Sequence, residues 1–173
     1  AQKIIKIIPN VVFLIISDIT SDEYVRSWKG KIKSFLNIPY DNFDKMRFLI
    51  TKAGLNDNFI FTGNREDIAD LLSASDLTVF LSQKEEGFGR PLIESMLIGK
   101  PIVASDLGPT KEIIGENSGI LVKHNNVEMI SDSILHLFSN NLLRQEMGEY
   151  GKERVKKKFD SLSNNKLIEK LFY

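Results

Sequence analysis

The 173-residue chain contains no cysteine, which excludes a disulfide framework, a thiolate nucleophile and any Cys-based metal site. It also lacks a charge imbalance, since Lys plus Arg and Asp plus Glu both number 23. A neutral chain raises no overall field toward polyanions, so no nucleic-acid partner is expected. Histidine is scarce. His124 falls in a polar loop beside Lys123 and Asn125, and His136 within an amphipathic helical pattern. Neither is spaced for a metal or a triad; both read as surface residues, and no metal or cofactor is expected. Long hydrophobic runs are missing too. Val11 to Ile16 falls far short of the roughly 20 residues that span a bilayer, and no signal peptide precedes it. These absences fit a cytoplasmic location. The chain opens at Ala1 without a methionine and inside a helical pattern, which reads as a domain excised from a longer protein.

What is present is an ordinary globular composition, 42% apolar and 27% charged, at a length that suits one domain over residues 1–173. A helix is expected to close at Pro9-Asn10. Val11 to Ile16 is a continuous β-branched run of the kind found in strands buried on both faces of a parallel sheet. Further short runs lie at 59–61, 77–81, 101–104 and 119–122. Helical patterns separate them at 44–53, 66–73 and 90–97, and continue at 127–138 and 141–159. Strands alternating with helices predict an α/β fold, a Rossmann-like open parallel sheet flanked by helices. Residues 17–40 are the least regular and hold the single tryptophan, Trp28. The tail from Asp160 to Tyr173 carries Leu162, Leu167, Ile168, Leu171 and Phe172 on one apolar face in search of a partner.

The informative stretch runs from Ser82 to Pro101. It follows the expected strand 77–81 and enters a helix through Gly87-Phe88-Gly89, with Pro91 in the first turn, where proline is tolerated best. Loops at the carboxyl ends of parallel strands are where open α/β sheets bind ligands. A glycine turn before a helix lets backbone N–H groups approach an anion, and the helix dipole adds attraction, so phosphate is the natural guest. Glu86 stands before the glycines, and Glu94 lies eight positions later, about one turn into the helix. Each carboxylate can accept two hydrogen bonds, which matches the vicinal hydroxyls of a ribose or hexose. Donors in the middle and a carboxylate at each end suit a sugar–diphosphate–ribose ligand. Taken alone, Glu-Gly-Phe-Gly is equally an ordinary glycine turn beside surface glutamates.

The longer context resembles the group 1 glycosyltransferases, family 4 of the sequence-based classification. Glu86 to Glu94 resembles their E-x7-E signature. Ala74 to Leu77 resembles the strand entry "ADvfv", and Leu81-Ser82 stands where the family has Pro-Ser. Gly99 to Ser105 resembles "GxPVVAS", Gly108 to Glu112 "GGxxE", and Ser118 to Val122 "xGxLV". Gly54-Leu55 with Phe59 to Gly63 resembles "GL-x-vxFxG", and Phe159 and Tyr173 resemble the closing helices. The resemblance covers about Val11 to Tyr173.

The resemblance implies a GT-B architecture of two Rossmann-like domains facing a cleft, with this chain as the C-terminal, donor-binding half. A crossover-type helix is then expected at about 160–173, and the N-terminal acceptor domain is the missing partner. The substrate would be a UDP- or GDP-linked sugar, transferred as a hexose to a glycan, lipid or small-molecule acceptor with retention. Glu86 would hold the transferred sugar as the catalytic carboxylate, and Glu94 the ribose. Gly87 and the Phe88 and Gly89 backbone N–H groups would line the sugar and phosphate pocket. Gly63-Asn64-Arg65 would sit beside the nucleobase and Ser82 on the pocket floor; Arg90 could help the diphosphate, at a position beside Pro91 that varies in the family. The family needs no metal, because an Arg and a Lys upstream of this sequence replace it. The isolated domain is expected to be inactive.

Departures from the pattern matter. Ser17-Asp18-Ile19-Thr20 stands where the family has Gly-x-Gly-Pro, and Leu107-Gly108 replaces the paired glycine. The connection from Ser17 to Gly54 is longer than usual. Lys152, Arg154, Lys156, Lys157 and Lys158 read as a solvated helix face, with peripheral contact to acidic lipid at the inner membrane face as the alternative. Asp106 and Glu112 read as caps of the following turn. The competing functional reading is a non-catalytic sugar-nucleotide-binding or interaction module that keeps the fold.

Overall fold

The computed structural model describes residues 1–16, 42–82 and 89–159. The chain divides into two compact units, Ala1–Glu66 and Asp67–Tyr173.

In the first unit, α1 (Gln2–Ile7) ends at the Pro9-Asn10 turn, as its stop signal requires, and β1 (Phe13–Ile16) follows. Next come α2 (Asn42–Lys52), a single 3-10 turn (Asn56–Asn58) and β2 (Phe59–Gly63). β1 and β2 pair in parallel, Phe13 opposite Phe59 and Ile15 opposite Phe61, with an irregularity after Ile15. The Phe13 and Phe59 rings stack at 4.8 Å. Asn58 Nδ2 donates to the carbonyls of Pro9 (2.9 Å) and Val11 (2.8 Å), which ties the start of β2 to the start of β1. The Arg47 guanidinium of α2 lies 4.7 Å from the Phe61 ring centre, a cation–π contact that fastens the helix to the sheet. The expectation that 11–16 is buried on both faces is corrected: all four residues of β1 are only half-buried, and Val12 is exposed. Among the described strands β1 bonds to β2 alone.

The second unit runs α3 (Ile68–Ala74), β3 (Thr78–Phe80), α4 (Arg90–Ile98), β4 (Ile102–Ser105), α5 (Thr110–Ile114), β5 (Gly119–Val122), α6 (Val127–Ser139) and α7 (Asn141–Lys158). Its sheet has the order β3-β4-β5, every pair parallel. β4 is central and completely buried, which explains why Ile102, Val103 and Ala104 form an unbroken apolar run. Leu92 and Met96 of α4, Ile113 and Ile114 of α5 and Val155 of α7 complete the core with Ile102 and Ala104. α4 ends in a Schellman motif. Gly99, at φ +80°, donates to Met96 O, and Lys100 N donates to Ser95 O. Asn126 and Asn140 cap α6 and α7 by accepting from Met129 N and Leu143 N, each at 3.0 Å. No helix among the described residues is long and apolar enough to cross a membrane. Parallel strands flanked by helices make this an α/β, Rossmann-like fold.

Candidate functional site at the carboxyl ends of the strands

Three connections leave the carboxyl ends of β3, β4 and β5, and the first carries the motif. β3 ends at Phe80; the exposed Leu81 and half-buried Ser82 follow. Glu86, Gly87 and Phe88 lie outside the described residues. Gly89 is the N-cap of α4 and is buried in the left-handed region at φ +59°, ψ +40°. A Cβ there would stand 2.9 Å from Ile113 Cδ1 and 3.1 Å from Leu92 Cδ1, so both conformation and space demand glycine. Having no side chain, Gly89 offers α4 no cap of its own, and the first turn of the helix holds no acidic residue. Among the described residues no side chain offsets the positive end of α4, the condition under which an anion is attracted. Leu92 N donates back to Gly89 O at 2.9 Å and closes the turn.

Glu94 is the fifth residue of α4, just over one turn in, as the spacing predicts. Its side chain is 38% exposed, and Oε1 lies 3.4 Å from Nη2 of Arg90, which is 81% exposed. Such an i,i+4 pair is worth only about 0.3–0.5 kcal/mol at a surface. A ligand hydroxyl can therefore compete for the carboxylate at small cost. Ser95, the next residue, is fully buried and donates to Pro91 O at 2.7 Å.

In the first unit, Gly63 ends β2 with φ +70°, and Asn64 and Arg65 follow, both exposed. All three stand at the carboxyl end of their own strand.

The β4 connection holds a helix that the sequence reading lacked, α5, whose N-cap Pro109 has no side-chain cap. Glu112 does not cap a turn: it lies within α5 and its Oε1 sits 3.3 Å from Lys158 Nζ. Asp106 joins the sheet through its backbone, N donating to Val122 O at 2.9 Å. His124, in the β5 connection, is half-buried beside Asn125, the single described non-glycine residue at positive φ.

The basic stretch of α7 is not uniformly solvated. Lys156, Lys157 and Lys158 are exposed, but Lys152 and Arg154 are half-buried. The Lys152 stem lies across Gly99 with Nζ 2.8 Å from Glu149, and Arg154 reaches the end of α5. In the sequence Arg154 reads as one of five similar cations, marked only as the lone arginine among lysines. A cavity of about 870 Å³ opens beside Ile114, Gly119, Tyr150 and Lys157. It sits at the amino end of β5, away from the loops that carry the motif.

The family model described as glycosyl transferases group 1 matches residues 39–154. An uncharacterised glycosyltransferase of Methanocaldococcus jannaschii is 32% identical over 164 residues, covering 84% of this chain and 42% of its own length. The chain thus spans under half of that relative. Among solved structures, Anabaena HepE in complex with UDP aligns with a TM-score of 0.75 at 21% identity, over 99% of this chain and 51% of that one. The C-terminal domain of the Francisella tularensis group 1 glycosyl transferase LpcC aligns with a TM-score of 0.71 at 24% identity, over 92% and 75%.

Proposed function

This chain belongs to the group 1 glycosyltransferases, and we propose that it is the donor-binding half of a retaining member of that family. The observation that carries the reading is the start of α4: a left-handed glycine that brings no side-chain cap of its own to the helix end, with the Glu94 carboxylate one turn behind it. The HepE complex, a fold neighbour that binds UDP, supports a nucleotide as the kind of ligand. In the proposed complex the diphosphate lies against the start of α4 and the Phe88 and Gly89 N–H groups, with Arg90 beside it. Glu94 accepts from the ribose hydroxyls. Ser82 lines the pocket floor, and Glu86 with Gly87 meets the hexose.

The acceptor hydroxyl attacks the anomeric carbon from the face the diphosphate leaves. The new bond is acceptor oxygen to carbon, the broken bond is carbon to phosphate oxygen, and the acceptor proton passes to the departing phosphate. Negative charge grows on the diphosphate, so preorganised positive groups there give the largest benefit. We assign the remaining cations and the acceptor site to a second domain of the same enzyme, and place the protein in the cytoplasm.

Calorimetry of this chain with uridine and guanosine diphosphates tests the reading. One of the two is expected to bind weakly, and Glu94→Ala is expected to cost about 1–3 kcal/mol of that binding. Equal affinity in mutant and parent rejects the ribose role, and no binding of either nucleotide rejects the donor site.

A further inference from the structure

Gly89 presents an unusual mechanical problem. It must hold a left-handed conformation at the mouth of the candidate site, yet it has no side chain with which to anchor itself. Two neighbours fill the space where a Cβ would project, Leu92 of its own helix and Ile113 of α5, whose Cδ1 comes within 2.9 Å of that position. The setting of Gly89 therefore depends on where α5 stands.

α5 has only five residues, far below the length at which a helix holds itself together. The carbonyls of Glu112 and Ile113 have no partner within so short a helix. Arg154, in the fourth turn of α7, supplies one. Its Nε donates to Ile113 O at 2.7 Å, and its Nη2 donates to Glu112 O. A cation at a helix carboxyl end is favourable, and charged donors make the stronger hydrogen bonds. Gly115 makes the approach possible: a Cβ there would stand 2.7 Å from the Arg154 Cζ. A planar fork can meet two carbonyls at once, whereas an ammonium meets them only as a point charge.

We propose that Arg154 and Ile113 are positioning residues for the donor loop. The guanidinium fixes the last turn of α5, and Ile113 on that turn fixes Gly89 and the start of α4. This rests on the donor-site reading above, and it adds to that site two residues that never touch the ligand. Coupling of this kind passes through one unbroken line of contacts, from Arg154 to Ile113 to Gly89.

The test uses the full chain with Ile113→Val, which removes the contacting Cδ1, and Arg154→Lys, which keeps the charge and loses the fork. Ile134→Val is the control, because Ile134 is equally buried but lies in α6 away from the loop. Three quantities are read: the thermal midpoint, affinity for uridine and guanosine diphosphates, and hydrogen exchange of the Leu92 amide, which donates to Gly89 O. The expected result is faster Leu92 exchange and about three- to tenfold weaker nucleotide binding in Ile113→Val and Arg154→Lys, with neither change in the control at a similar midpoint loss. A lower midpoint with Leu92 exchange and affinity matching the control overturns the proposal. If the parent chain binds neither nucleotide, the donor reading falls, and Leu92 exchange alone decides the positioning role.

Discussion

Gly148 of α7 faces the carbonyl oxygen of Gly99, the residue that closes α4, with no room for a Cβ between them. One turn on, Gly151 rests on Met96, where a Cβ would come within 3.3 Å of Cγ. Two glycines on one face thus let α7 settle onto α4. Replacing a mid-helix glycine by alanine ordinarily stabilises by about 1 kcal/mol. Here Gly148→Ala is expected to do the opposite. Its methyl group meets backbone that is already fixed by the Schellman motif, and overpacking of this kind costs about 1–3 kcal/mol. Urea unfolding measures the change; a variant more stable than the parent refutes the close approach.

The two long helices of the second unit start on asparagines, and the structure gives each a reason. Asn126→Ala and Asn140→Ala are each expected to cost about 1 kcal/mol, the usual worth of an N-cap. Asn140 also ends α6, so its loss touches two helices and is expected to be the larger of the two. Both variants are compared with the parent by chemical denaturation. Losses below about 0.3 kcal/mol mean that water replaces the caps without penalty.

Arg90 offers a cleaner separation of stability from binding. It is 81% exposed, and its ion pair to Glu94 is a surface pair. Arg90→Ala is expected to leave stability within about 0.5 kcal/mol of the parent. If Arg90 meets the diphosphate, the variant loses nucleotide affinity at low salt and much less at high salt, because an exposed charge is screened. Calorimetry at two ionic strengths decides; unchanged affinity at low salt removes Arg90 from the donor site.

The elements that the sequence declares most clearly are those with a long or pure pattern. Gly119 to Val122 is a strand over the residues expected, and 127–139 and 141–158 are helices within a residue or two of their apolar spacing. Glu94 stands one turn into α4 because Pro91 and Gly89 mark that helix start unmistakably. α5 escaped notice for a physical reason: five residues between Pro109 and Gly115 are too few for a 3.6-residue period to show. The half-burial of β1 was illegible because an apolar run records what a strand tolerates, while its neighbours decide what is covered. Arg154 was hidden by composition. Beyond the lone arginine among lysines, a charge run does not reveal that one member turns inward to two carbonyls 41 and 42 positions away.

The two carboxylates of the motif should differ in the kind of damage their loss causes. In the proposed reading Glu94 holds the ribose, whose contacts change little as the glycosidic bond breaks. Its removal takes away binding that ground and transition states share, so Glu94→Ala in the full-length enzyme should raise the donor KM with kcat nearly unchanged. In the proposed reading Glu86 meets the transferred hexose, where positive charge develops at the anomeric carbon. A carboxylate there helps most at the transition state, so Glu86→Gln should lower kcat by about 10- to 1,000-fold with a small effect on KM. The measurements are initial rates across donor concentrations for both variants, together with the anomeric configuration of the product by NMR. Inverted product discards the retaining mechanism. A kcat unaffected by Glu86→Gln makes that residue a surface glutamate beside a glycine turn. A full-length protein that binds nucleotide yet transfers no sugar from any donor makes the chain a binding module that kept the fold.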